Sequence, residues 1–145
     1  MNDRYLFRAK HSLESKKWYI GNLVEEPDGL YLRDNKNDIM VYIQDQSTIC
    51  QCTGLKDKNG KLIWENDVVE MYDRNTDYRW RAVVTFGNPN GEYTWGWQLK
   101  NIGECETNKD ILCWIDMEES GAFCEVIGNI FDEGSENIGK RAEEN

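Results

Sequence analysis

The side chains with the strongest chemical potential in this sequence are its cysteines. Cys50-x-Cys52 on a strand sends both thiols to one face, because side chains alternate, and that is half of a zinc site. Structural zinc takes Cys or His ligands paired at short spacing. Cys105, Cys113 and Cys124 have no such pairing, and the only histidine, His11, is distant in sequence. Core thiols are the expected role. A count of five cysteines also argues against a disulfide framework. Glu65 and Asp67 have the spacing of an acid–base pair, but on a turn such carboxylates accept backbone N–H bonds. Gly54 to Lys61 has the composition of a phosphate cradle, without the glycine spacing or following helix that aims N–H groups at an anion. There is no nucleophile elbow. With no convergent set, the expectation is a non-enzymatic protein without cofactor or metal.

Two groups suit recognition. Tyr93, Trp95 and Trp97 alternate along one strand face, either closing a core, the favoured role, or forming an exposed contact patch. Lys56, Lys58 and Lys61 form the closest lysine cluster, beside Asp57. The chain carries a net charge of −10, which repels a polyanion, so generic nucleic-acid binding is disfavoured. The charge suits a basic partner, or serves solubility alone.

These residues need elements to hold them. Asn59-Gly60 is the strongest hairpin signal and predicts a two-residue type I′ turn. Leu62-Ile63-Trp64 follows as a strand, then Glu65-Asn66-Asp67 turns into the strand Val68 to Tyr72. Upstream, Tyr5 to Arg8, Trp18 to Gly21, Leu30 to Leu32 and Ile39 to Ile43 read as strands, with a turn at Asp28-Gly29. Downstream, Trp80 to Phe86 and Tyr93 to Leu99 flank the turn-rich Gly87 to Gly91, and Cys124 to Phe131 is the last strand. Ile111 to Ile115 fits a strand or a helical turn. The predicted class is mainly β, with a β-rich α+β fold as the variant. An N-terminal meander (about 1–50) precedes a small SH3-like antiparallel barrel (about 51–132) in one domain, and 133–145 form a polar tail. No apolar run reaches membrane-span length and the start lacks a signal peptide's apolar region, so a cytoplasmic protein is expected.

The stretch TGLKDKNGKLIWENDVV resembles the signature block of the YopX family. Thr53, Gly54, Leu55, Asp57, Asn59, Gly60, Ile63, Trp64, Glu65, Asp67 and Val68 carry the likeness. Phe7-Arg8-Ala9 is similar to the family's opening, and Gly128-Asn129 within Val126 to Phe131 to its closing block, so the resemblance spans roughly 5–132. Lys10-His11 stands where the family has Trp-Asp, and Asn66 where it has glycine. Asparagine is the next-best residue in a left-handed turn. The resemblance implies a phage- or prophage-encoded protein of largely β structure, of undefined biochemistry, with signature residues in structural roles. Three functions follow. One is an interaction module binding a host or phage protein, or a second copy of itself, through an aromatic or acidic surface, with a DNA-mimicking version of it. Another is a small-barrel nucleic-acid binder in phage replication or regulation. The third is an enzyme whose site is hidden.

Overall fold

Turn-forming residues separate ten short strands among the described residues. The structure, a computed structural model, describes residues 5–11, 17–34, 36–87, 96–102, 111–115 and 121–132. The chain divides into two units, Met1–Gly54 and Leu55–Asn145.

The first unit is a meander of β1 (Phe7–Lys10), β2 (Trp18–Glu26), β3 (Gly29–Asp34) and β4 (Ile39–Tyr42), with a 3₁₀ turn, Gln46–Thr48, leading into β5 (Cys50–Lys56). The strand order is β4-β3-β2-β1-β5. β2 serves two neighbours. Its first half pairs with β1, as in Ala9 with Tyr19, and its second half with β3, as in Leu23 with Leu32. Gly21 sits at the changeover, where a Cβ would lie 2.1 Å from the Arg33 carbonyl oxygen. It is a corner glycine, because two backbones meet there with no room for a side chain. The face inside this corner holds buried Ala9, Leu32 and Ile43, with Phe7, Tyr19, Leu23, Leu30 and Ile49 packed against them. The 3₁₀ turn is stitched to β1. The Thr48 hydroxyl accepts from the Lys10 N–H at 3.1 Å and donates to the Asp45 carbonyl at 2.8 Å.

In the second unit the far end of β5 pairs with β6 (Leu62–Trp64). A separate sheet runs in the order β10-β7-β8-β9, from β7 (Asp67–Asp73), β8 (Tyr78–Gly87), β9 (Gly96–Ile102) and β10 (Ala122–Asn129). The mainly-β class holds, but the small closed barrel does not form. β9 and β10 lie at opposite edges of an open sheet, and the free edge of β10 is occupied by the β5–β6 turn. Ile111–Cys113 is a 3₁₀ turn, closed by Trp114 N–H on the Ile111 carbonyl at 3.0 Å. Alternation sorts the sheet: Val69, Met71, Trp80, Ala82, Val84, Leu99 and Cys124 point into one core, with Ile63, Ile111 and Trp114. Trp80 and Trp114 meet edge to face at 5.7 Å. Each such side chain contributes about 1.5–3 kcal/mol of burial free energy.

The turn at Asn59-Gly60 differs from the expected type I′. The Gly60 N–H donates to the Asp57 carbonyl at 3.0 Å, and Gly60 has φ +78° while Asn59 is not left-handed. Lys58-Asn59-Gly60 is a three-residue loop, a tight turn followed by a left-handed glycine. The cause is Asp57, whose Oδ1 accepts the N–H groups of Asn59 and Lys61, both at 2.9 Å. Gly60 has open space around its Cα, so the cost of a methyl is conformational. Gly60→Ala is expected to destabilise by about 1 kcal/mol and lower the Tm by roughly 3–5 °C. Asn66 is left-handed, with φ +69°, so Asn66→Gly should leave the melt unchanged or slightly raised. An unaltered Gly60→Ala melt would remove the strained-turn argument.

Candidate functional site

Most of the signature residues, from Leu55 to Asp67 with Gly128 and Asn129, lie in the second unit, around the turns that flank β6. Asp57 is buried, and its third bond goes across the unit: Oδ2 accepts the Val126 N–H at 2.9 Å. The Lys58 N–H donates to the Cys124 carbonyl, also at 2.9 Å. The turn thus caps the open edge of β10 with one acceptor and one donor, which protects an otherwise bare strand edge. Above it, Glu125 lies 3.4 Å from Lys58 Nζ and accepts from Asn59 Nδ2 at 3.3 Å.

The second turn is built around Asp67, 1% exposed. Its Oδ2 accepts the Trp64 N–H at 2.8 Å and its Oδ1 accepts Asn129 Nδ2 at 3.0 Å. Asn129, fully buried, accepts the Phe131 N–H through Oδ1 at 3.0 Å. Asn66 donates its N–H to the Val84 carbonyl at 2.8 Å and accepts the Ile130 N–H at 3.0 Å. Buried carboxylates with several N–H donors are structural anchors, since the bonds offset desolvation. Both Asp67 oxygens are therefore engaged in holding the turn. The remaining signature positions serve the same frame. Thr53 and Trp64 are buried, Gly54 has φ +78°, Leu55 packs on the core, and Gly128 follows a break in the β10–β7 register.

The recognition residues do not gather at this place. Lys56 and Lys61 are exposed, and Lys58 is paired with Glu125 at 3.4 Å. Trp97 is half-buried against the core and meets Phe86 edge to face at 5.0 Å. Tyr93 and Trp95 lie outside the described residues, as do Cys105 and the 133–145 tail.

Cys50, Cys52 and Cys124 are buried thiols, and among the described residues no group of His, Cys, Asp or Glu is placed to hold a metal ion. The Cys50 thiol donates to the Thr48 carbonyl at 3.3 Å. Burial, reinforced by Asp57 and Asp67, pushes the Cys124 thiol up to about 12, which leaves it protonated and unreactive. His11 is exposed, and its Nδ1 lies 2.8 Å from the Tyr42 carbonyl, which makes Nδ1 the donor. Chelator and reductant are expected to leave the Tm unchanged. A clear loss with chelator would assign Cys50 and Cys52 to a structural metal, which supplies folding energy directly.

One cluster escaped the sequence reading. On the outer face of the four-stranded sheet, Glu70 is held by Arg79 and Arg81, both at 3.1 Å. Beside it Tyr72 and Phe123 lie at 6.3 Å in near-parallel planes, with the Arg79 guanidinium 4.1 Å from the Tyr72 ring and that of Arg74 5.9 Å from Phe123. The alternations Glu70-x-Tyr72 and Arg79-x-Arg81, reflected across the turn at 74–77, were the available signal. Glu125 faces Glu70 directly in the register, a repulsive pair that is relieved because each has its own cationic neighbours. Of the 27 carboxylates and 17 basic residues, 14 and 12 lie among the described residues. The acidic surplus therefore belongs mainly to the other segments of the chain and not to these sheet faces. Among the described residues no helix is long and apolar enough to cross a membrane.

A family model described as YopX protein matches residues 6–135, most of the chain. No curated protein matches it.

Proposed function

This chain belongs to the YopX family, and we propose that it is a non-enzymatic, phage- or prophage-encoded interaction module that binds a host or phage protein through the aromatic edge of its second unit. The observation that carries the reading is Phe86. It is 59% exposed, although alternation places it on the core side of β8, and it leans edge-on against Trp97 at 5.0 Å. An aromatic pair of this kind buries about 150–250 Å² per ring when a partner covers it, and such residues supply much of the energy of interfaces. Of the two carboxylates with acid–base spacing, Asp67 already accepts two hydrogen bonds in the scaffold, and the neighbouring signature carboxylate Asp57 accepts three, which supports a non-enzymatic role.

The test is capture of partners from host lysate on the full chain and on Phe86→Ser. Loss of the captured protein with an unchanged melting curve is the expected result, and equal capture by both would remove Phe86 from the contact. Sedimentation at two concentrations separates a second copy from a foreign partner.

A second reading, single-stranded nucleic acid, draws on the Tyr72 and Phe123 rings with Arg74 and Arg79 over them, since rings and cations together form stacking platforms. It ranks second because Arg79 is already committed to Glu70 and Tyr72. No tight binding of DNA or RNA is expected at physiological salt. Binding that survives there, and is lost on Arg79→Glu, would favour this reading.

A further inference from the structure

A cleft in the first unit has no role in the reading above. It has a volume of about 620 Å³ and opens between the start of β2 and the β3–β4 turn, within the size range of small-molecule sites. Leu6, Ile20, Leu32, Ile39 and Val41 supply apolar wall, with Gly21 also on the lining. Ile39 forms an exposed lip at 52%, apolar surface that a bound molecule would cover.

Two lysines, Lys17 and Lys36, line the cleft against one carboxylate, Asp34, and the Lys17 ammonium lies 4.8 Å over the Tyr19 ring. That carboxylate is spent within its own turn, accepting from the Lys36 N–H and from Asn37 Nδ2, both at 2.9 Å. Those two bonds hold it below the usual carboxylate range, so it stays acceptor-only. The neighbouring Asp38 is taken by Arg33 at 3.2 Å. Among the described residues the Lys36 ammonium makes no ion pair, although two carboxylates lie within two residues of it in sequence.

We propose that this cleft binds a small amphipathic carboxylate, with the apolar body along Ile39, Val41 and Leu32 and the carboxylate at Lys36. Apolar burial supplies the affinity, and the lysine selects the sign of the head group. The site is independent of the aromatic edge of the second unit, so neither result bears on the other.

The experiment titrates the full chain with three probes that share a ten-carbon chain, each below its micelle or solubility limit: decanoate, decanol and decyltrimethylammonium. Binding is read by calorimetry and located by amide NMR shifts. Decanoate should bind most tightly, with shifts at Gly21, Asp34 and Val41. Lys36→Glu should weaken decanoate roughly tenfold while leaving decanol nearly unchanged. Ile39→Asn, a neutral change at an exposed position, should weaken decanoate and decanol alike. Equal binding of the three probes, a decanoate affinity indifferent to Lys36→Glu, shifts confined to other regions, or no decanoate binding would each overturn the proposal.

Discussion

Gly21→Ala is expected to cost about 3 kcal/mol or more and to unfold the first unit under mild denaturant. The added methyl would stand 2.1 Å from the Arg33 carbonyl oxygen, 2.6 Å from its carbon and 3.1 Å from the Asp34 nitrogen. All three are backbone atoms, so no rotamer change can yield. β2 and β3 must separate just where Leu23 and Leu32 bring their side chains into the core. The loss should appear in a urea titration as a lower midpoint or a separate early transition. Asn22→Ala, next in sequence and exposed, is the control and should stay within about 0.5 kcal/mol. A Gly21→Ala midpoint matching the control would mean that β2 turns its corner without needing the contact.

Asp57→Ala carries the second large effect, expected at about 2–4 kcal/mol, because one deletion strips an acceptor from the N–H groups of Asn59, Lys61 and Val126. Asp57→Asn separates the two roles. An amide oriented with its oxygen toward Asn59 and Lys61 keeps the turn but presents N–H₂ to the Val126 N–H. It should therefore lose roughly half as much and do so by freeing the β10 edge. Hydrogen exchange at Val126 reads this directly. Val126 protection that persists in the asparagine variant would show that the turn does not hold β10.

Much of the frame was legible from residue types alone. The Val68-to-Tyr72 and Trp80-to-Phe86 runs each mark a strand at its observed place, because turn chemistry and period two are local properties, and the turn expected at Asp28-Gly29 falls one residue earlier, on Pro27-Asp28, with Glu26 paired to Gly29. The left-handed Asn66 was legible for the same reason. The loop at Lys58-Asn59-Gly60 was not. Asn59-Gly60 suits a two-residue turn, and it takes the Asp57 side chain to choose the longer one. Barrel closure was misjudged on similar grounds, since whether β9 meets β10 depends on partners far apart in sequence. The Tyr72–Phe123 platform needs the pairing of β7 with β10, which no local pattern reveals. Gly21 showed as a strand ending in the sequence. Its role as a corner became visible only when β2 proved to continue beyond it with a second neighbour.

The tie between the β5–β6 turn and β10 also bears on the order in which the protein is made. Asp57 reaches Val126 across 69 positions, and Asn129 returns to Asp67 across 62. While the ribosome is still adding residues, at roughly 5–20 per second, the signature block has its turns but lacks the strand they anchor. The first unit draws on contacts that end by Gly54 and can settle early. The second must wait for nearly the whole chain, exposing the Val69, Met71 and Val84 surface for several seconds at those rates. Long-range closure of this kind is slow and prone to aggregation. A nascent chain that has not yet reached Ala122 lacks the partner for both signature turns, so changes in β10 (Ala122–Asn129) are expected to lower yield in the cell as well as stability in the test tube.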